Sequence, residues 1–169
     1  EIRKAVSIPV LASGRVEPEL GDKVIGKGEA DFITMGRKLL ADPHLPRKLA
    51  EGKSDDVLPC IYCYTCISQI YFNGTTRCAV NADTGFEYLR KPKSSDSIGA
   101  SNRRIVVVGG GPGGMEAARR LDALGHRVTL LEKGDRLGGT LRFASLAYEP
   151  NERLLHWLER QIKASNVDV

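Results

Sequence analysis

The chain has 169 residues, 41% of them hydrophobic and 27% charged, with a net charge of +4; this suits a globular protein of one domain or parts of two. No run reaches the roughly 18 uninterrupted apolar residues of a membrane span, and no basic stretch leads into an apolar segment and a cleavage site, so neither a membrane anchor nor export is expected and the location reads as cytoplasmic. The densest basic cluster, Arg90, Lys91 and Lys93, is broken by Pro92; without a basic stripe, nucleic-acid binding is excluded, while mild positive charge suits anionic nucleotide ligands.

The first residue is Glu1 and the opening stretch "EIRKAVS" is helix-like, so the chain reads as a piece of a longer protein. Residues 1–52 alternate strand and helix signals. "IPVLA" (8–12) is a short apolar run that ends at Ser13-Gly14-Arg15, and a polar, weakly helical stretch follows. "DFITM" (31–35) is a second apolar run, ending at Gly36-Arg37, and "DPHLPRKLAEG" reads as a helix capped by Asp42. A strand ending in Gly-Arg thus recurs after about 22 residues, the length of one compact β/α unit, which implies parallel strands.

Residues 53–90 hold all four cysteines, Cys60, Cys63, Cys66 and Cys78, with Gly, Asn and Thr between them; loops and one short helix near 64–72 are expected. The spacing C-x2-C-x2-C-x11-C admits disulfides, zinc or an iron–sulfur cluster. A reducing compartment argues against disulfides. Structural zinc usually takes two separated C-x2-C knuckles, whereas here three cysteines crowd together and one stands apart. Clustered cysteines plus a remote one are the pattern by which a loop wraps a 4Fe-4S cluster, and the spacing favours that reading. The proline that often follows the last ferredoxin cysteine is replaced by Ala79.

Residues 91–102, "KPKSSDSIGASN", are polar and Ser-rich and read as a linker. From 103 onward the pattern is strand, glycine turn, helix, strand. Ile105–Val108 is β-branched throughout, as a strand buried on both faces would be. A helix over 113–124 ends at Gly125. Leu154, Leu155, Trp157, Leu158 and Ile162 share one helical face over 150–164, a core stripe, and "NVDV" starts a further strand.

Gly109, Gly111 and Gly114 form G-x-G-x-x-G between that first strand and the helix, and the second strand ends at Glu132. This is the context that the dinucleotide fingerprint requires. Gly109 permits the tight turn, Gly111 lets backbone approach the pyrophosphate, and Gly114 lets the helix pack on the strand. Gly113 opens the helix with Pro112 just before it, and the helix's free N–H groups and positive dipole end face the phosphates. Glu132 accepts from ribose hydroxyls and repels a 2′-phosphate. Arg136, Gly138 and Gly139 follow at once and bring backbone toward the same ligand. His44, His126 and His156 have no partner spacing that marks catalysis.

Taken in order, "PVLASGRV", "ADFITMGRKLLADPHLPRKLAEG", "PCIYCYTC…RCAVN" and "VVVGGGPGGMEAARRL…VTLLEKGDRLGG" resemble the iron–sulfur branch of the Old Yellow Enzyme (NADH:flavin oxidoreductase) family, which includes 2,4-dienoyl-CoA reductase and trimethylamine dehydrogenase. The resemblance spans nearly the whole chain. It implies an α/β chain in which residues 1–52 are the last two β/α units of an FMN-binding TIM barrel. Residues 53–90 then form an iron–sulfur segment, 91–102 a linker, and 103–169 the first half of a Rossmann-like domain for FAD or ADP and NAD(P)H. By the same resemblance, backbone N–H groups at Gly14, Arg15, Gly36 and Arg37 hold the FMN phosphate, with the Arg37 guanidinium as its charged partner; without the family, Arg15 and Arg37 read equally well as surface arginines.

The departures bear on function. A full barrel takes about 250 residues, so the family's substrate-binding and proton-donating residues lie upstream, and no catalytic residue is carried onto this chain. The first three cysteines are spaced as in the amine dehydrogenases, and the gap to Cys78 as in the dienoyl-CoA reductases. Three readings stay open. In one, NAD(P)H reduces FAD and electrons pass through the cluster to FMN, which reduces an activated C=C bond. In another, a substrate amine reduces FMN and the cluster passes electrons to a carrier protein. The last is a non-catalytic, zinc-stabilised nucleotide-binding module. The expected partners are a small-molecule substrate and, in the second reading, that carrier; the full-length protein is expected to be a homo-oligomer.

Overall fold

In the computed structural model, the residues described are 2–89 and 102–169. The linker expected over 91–102 lies, but for Asn102, outside them.

The first part is built of short parallel β/α units. Helix α1 (Ile2–Ala5) precedes β1 (Leu11–Ser13), α2 (Pro18–Gly26), β2 (Phe32–Thr34), α3 (Gly36–Ala41) and α4 (Leu45–Ala50). Pro18 sits in the first turn of α2 and Glu19 beside it, where a preset φ and a negative charge both favour helix initiation. β1 and β2 pair in parallel, with Leu11 beside Phe32 and Ser13 beside Thr34, as the repeated strand ends imply. The register offset is shorter than the motif offset by one residue. Met35, which stands outside the strand at the N-terminus of α3, takes up that difference.

Asp42 does not cap α4. His44 occupies the cap position and contributes no side-chain bond. Asp42 is instead a buried bracket, 3% exposed. It accepts from the N–H groups of His44 and Leu58 at 2.9 Å each and from the Lys48 ammonium at 2.6 Å. Burial works to raise its carboxyl, but these donors outweigh it and hold the group below the ordinary aspartate range. Asp42 thereby ties α4 to the start of the cysteine-rich segment. That segment holds a short turn at Ser54–Asp56, helix α5 (Thr65–Tyr71) and a second turn at Glu87–Leu89. Its far end is fastened by the Thr84 hydroxyl and Asn81 amide, which donate to the Leu40 carbonyl at 2.7 and 3.1 Å.

The second part runs β3 (Arg104–Val108), α6 (Pro112–Ala123), β4 (Arg127–Leu131), α7 (Leu141–Ala147) and α8 (Glu149–Lys163). β3 and β4 are parallel, Arg104 beside Arg127 and Val108 beside Leu131. Asp168 continues the sheet through a parallel bridge to Thr129, as "NVDV" suggests. Met115 and Ala118 of α6, Val128 and Leu130 of β4, and the α8 stripe of Leu154, Leu155, Trp157, Leu158 and Ile162 form one core, which Leu58 joins from the cysteine-rich segment. Burying side chains of this size contributes about 1.5–3 kcal/mol each. Trp157 is core, as its spacing predicts, and its indole N–H donates to the Asp56 carbonyl at 3.2 Å.

β3 departs from the expectation of burial on both faces. Ile105 and Val107 point inward, while Val106 and Val108 are 60% and 82% exposed. α6 and α8 cover only one side of this sheet among the described residues. Helices α3 and α7 have no counterpart in the sequence reading. In α7, Phe143 and Leu146 face outward, so the segment lacks the buried apolar stripe that marks a helix in sequence.

Candidate functional site

The glycine turn after β3 is shaped by its neighbours. Gly109 has φ +101°, a conformation that L side chains rarely adopt, and its N–H donates to the Leu131 carbonyl at 2.7 Å. Gly111 caps α6 with extended backbone and Pro112 follows in the first turn. A Cβ on Gly114 would lie 1.9 Å from the Gly109 carbonyl oxygen, so only glycine lets the helix sit this close to the turn. Around Gly111 and Gly113 there is open space on the side where a Cβ would project. The free N–H groups at the start of α6 therefore border a clear surface beyond the ends of β3 and β4, the usual position for a bound pyrophosphate.

Glu132 sits at that surface. Its carboxylate accepts from the N–H groups of Gly134 at 2.8 Å and Gly110 at 2.6 Å, and these hold it below the ordinary glutamate range. Each oxygen keeps a further lone pair for a ribose hydroxyl. The Gly138 N–H donates to the Gly110 carbonyl at 2.7 Å, and a Cβ on Gly139 would stand 3.2 Å from Gly111 Cα, so this pair does lie against the glycine turn. Arg136 is exposed and stands 3.8 Å from Asp135.

The four cysteines are free thiols and line one recess together with Arg37, Tyr62 and Tyr64. The loop achieves this by unusual backbone. Tyr62 and Tyr64 have φ of 52° and 62°, a left-handed conformation that costs a non-glycine residue about 1–2 kcal/mol. These residues turn the chain around Cys63. Cys66 then lies in the first turn of α5. The Tyr62 N–H approaches the Cys60 sulfur at 3.4 Å, and the Thr65 hydroxyl lies 3.2 Å from that of Cys63. Burial pushes the Cys60 thiol up. Among the described residues no three His, Cys, Asp or Glu side chains are grouped as a single metal ion would need. A recess ringed by thiols suits a larger inorganic group that meets each sulfur at a different corner.

Beside this recess stand the arginines that follow β1 and β2. The Arg15 guanidinium carbon lies 4.8 Å from the Tyr62 ring centre and 5.7 Å from that of Tyr64; for Arg37 the distances are 5.1 and 5.0 Å. Arg15 also donates to the Tyr64 hydroxyl at 3.1 Å. Neither arginine forms an ion pair among the described residues. Nη1 of Arg37 is buried and has no hydrogen-bond partner, an arrangement that calls for an anion. Gly14 (φ +138°) and Gly36, which opens α3, flank the pair.

Glu17 joins the parts. It accepts from the Tyr62 hydroxyl at 2.8 Å and from the Lys38 ammonium, and it pairs with Arg153 of α8 at 3.2 Å. Burial works to raise its carboxyl, but Lys38 and Tyr62 outweigh that and hold it below the usual range. Cys60 also lines a cleft of about 390 Å³, together with Glu17, Lys38, Leu45, Val57, Arg153 and Trp157. Sequence reasoning missed Tyr62, Tyr64, Glu17 and Lys38. The alternation of tyrosine with cysteine in "CIYCYTC" was the available signal for the first two.

Residues 1–56 match the NADH:flavin oxidoreductase / NADH oxidase family, and residues 107–161 match the NAD(P)-binding Rossmann-like domain. The chain is 39% identical over 176 residues to an NADH oxidase of Thermoanaerobacter brockii, covering all of this chain and 26% of the relative. It is 39% identical over 173 residues to a bilirubin reductase of Mediterraneibacter gnavus, again covering all of this chain and 26% of the relative. The structure superposes on histamine dehydrogenase of Rhizobium sp. 4-9 with a TM-score of 0.88 at 33% identity, over 99% of this chain and 25% of the other. The chain thus spans about a quarter of the length of the relatives it matches. No helix among the described residues is long and apolar enough to cross a membrane.

Proposed function

The chain belongs to the NADH:flavin oxidoreductase / NADH oxidase family, and on that premise we propose that it is the cofactor-bearing part of a multi-cofactor oxidoreductase that reduces an activated C=C bond of a small molecule, as 2,4-dienoyl-CoA reductase does. In this reading β1 and β2 are the last strands of an FMN-binding TIM barrel. Cys60, Cys63, Cys66 and Cys78 would hold a 4Fe-4S cluster. Gly14, Arg15, Gly36 and Arg37 would hold the FMN phosphate. The turn from Gly109 to Gly114, with Glu132, Gly138 and Gly139, would hold FAD or ADP. When bound, these groups supply hydride acceptance from NAD(P)H and its division into single-electron steps toward the flavin that reduces the substrate.

The observation that carries the reading is the position of Arg37. It lines the recess of the four cysteines while its buried Nη1 has no partner. An anion held there would sit beside the sulfur ligands, so the phosphate-bearing cofactor and the cluster would share one wall of protein. The Arg37 charge would neutralise the phosphate, and the Tyr62 N–H, aimed at the Cys60 sulfur, would stabilise the thiolate. The glycine turn would do the same for a pyrophosphate with backbone N–H groups alone.

A second reading is favoured by the cleft that reaches Cys60 from outside. It would give an electron-carrier protein access to the cluster, in an amine dehydrogenase. The test is an anaerobic assay of the intact protein with NADH or NADPH and an α,β-unsaturated acid, set against an amine with a one-electron acceptor dye. Oxidation of NAD(P)H matched by saturation of the C=C bond is expected. Turnover of the amine with no NAD(P)H oxidation would replace the first reading with the second.

A further inference from the structure

The two guanidinium groups do not merely stand near the cysteine loop. Each lies within 6 Å of the ring centres of both Tyr62 and Tyr64, and both tyrosines sit between cluster ligands on strained, left-handed backbone. Tyr62 is explained locally, because its ring is buried and its hydroxyl donates to Glu17. Tyr64 is not. Its side chain is 47% exposed, so burial does not offset the backbone strain, and its hydroxyl meets a cation, not a carboxylate. That hydroxyl accepts from Arg15, which leaves its own proton free to donate. It is therefore a neutral donor held between two cations, one of them with a buried, partnerless N–H. A donor in such company completes a site for a dianion.

We propose that the Tyr64 hydroxyl is a further ligand of the flavin phosphate, so that the cysteine loop itself closes the phosphate site built by Arg15 and Arg37. This rests on the reading that those arginines hold the FMN phosphate. It has a consequence for assembly. The loop that wraps the cluster also contacts the flavin, so the two cofactors bind with positive coupling, and each gains affinity from the presence of the other.

The test uses the intact protein, stripped of flavin but loaded with iron and sulfide, titrated with FMN and with riboflavin, which lacks the phosphate. Flavin fluorescence gives both dissociation constants, and their ratio isolates the phosphate contribution. Tyr64→Phe keeps the ring, the backbone and the contacts of both arginines with the ring, and removes one oxygen together with its bond from Arg15. The expected result is a loss of about tenfold in the preference for FMN over riboflavin, the effect of one hydrogen bond to a charged group, with riboflavin affinity and iron content unchanged. An unchanged preference in Tyr64→Phe, alongside a lost preference in Arg37→Ala, would overturn the role of Tyr64 and leave the arginine site standing. An unchanged preference in Arg37→Ala would overturn the phosphate site itself. A parallel loss of both flavins in Tyr64→Phe would show that the residue acts through the fold, which also overturns the proposal.

Discussion

Glu17 and Arg153 form a 3.2 Å ion pair that joins the turn after β1 to helix α8. The same carboxylate holds Lys38, whose side chain is 9% exposed, and the hydroxyl of Tyr62 in the cysteine loop. One acid thus meets all parts of the chain that carry a candidate cofactor site: the strand ends, the thiol recess and the nucleotide half.

Removing that charge leaves Lys38 buried without its counter-ion, which costs more than the lost pair was worth. Glu17→Gln is expected to lower stability by about 2 kcal/mol. Lys38→Met in that background removes the orphaned charge and is expected to recover most of the loss. Urea denaturation of the wild type, both single variants and the double variant at neutral pH gives the coupling energy. Additive effects would contradict the pairing.

Asp42 and Glu17 both have folded-state pKa values below their ordinary ones. A depressed acid contributes stability that is fully present above its unfolded value, near 3.9 for Asp and 4.3 for Glu, and lost as pH falls through the folded value. Stability is therefore expected to be flat above about pH 5 and to fall steeply below about pH 4. Asp42→Asn removes one contributor, so its acid limb should be shallower, from a lower plateau. Thermal melts across pH 3–7 check this; an acid limb of unchanged slope would contradict the assignment to Asp42.

The glycine turn separates fold from binding. A Cβ at Gly114 meets the Gly109 carbonyl oxygen, whereas one at Gly111 meets open space. Gly114→Ala is expected to destabilise the protein by about 1–3 kcal/mol through forced backbone shifts. Gly111→Ala should leave the melting curve unchanged and weaken ADP binding severely, because the new methyl occupies the surface that the pyrophosphate needs. Calorimetric titration with ADP, set beside the melts, distinguishes the two. A Gly111→Ala protein that binds ADP normally would move the nucleotide elsewhere.

Much of this arrangement was legible in sequence because it rests on residues with one physical use. Gly109 and Gly114 announce a turn and a close packing that the structure shows, and the leucine stripe with Trp157 announces the core face of α8. The parallel pairing of β1 with β2 followed from the repeat of Gly-Arg. What escaped depends on residues distant in sequence. Glu17 with Arg153, and Arg15 with Tyr64, are meetings that no local pattern encodes. In sequence Asp42 reads as a helix cap, yet the N–H of Leu58, brought close by the fold, claims its carboxylate. Val106 and Val108 read as buried because β-branched runs usually are, but among the described residues nothing covers that face.

The measurement that bears most directly on the central claim is a visible spectrum of anaerobically purified intact protein, with iron and acid-labile sulfide analysis. Thiol ligation at Cys60, Cys63, Cys66 and Cys78 predicts broad visible absorbance that bleaches with dithionite, with about four irons and four sulfides per chain, all lost in Cys63→Ala. A colourless protein with one zinc and no sulfide would contradict the electron-transfer account and leave a metal-stabilised loop beside a nucleotide site.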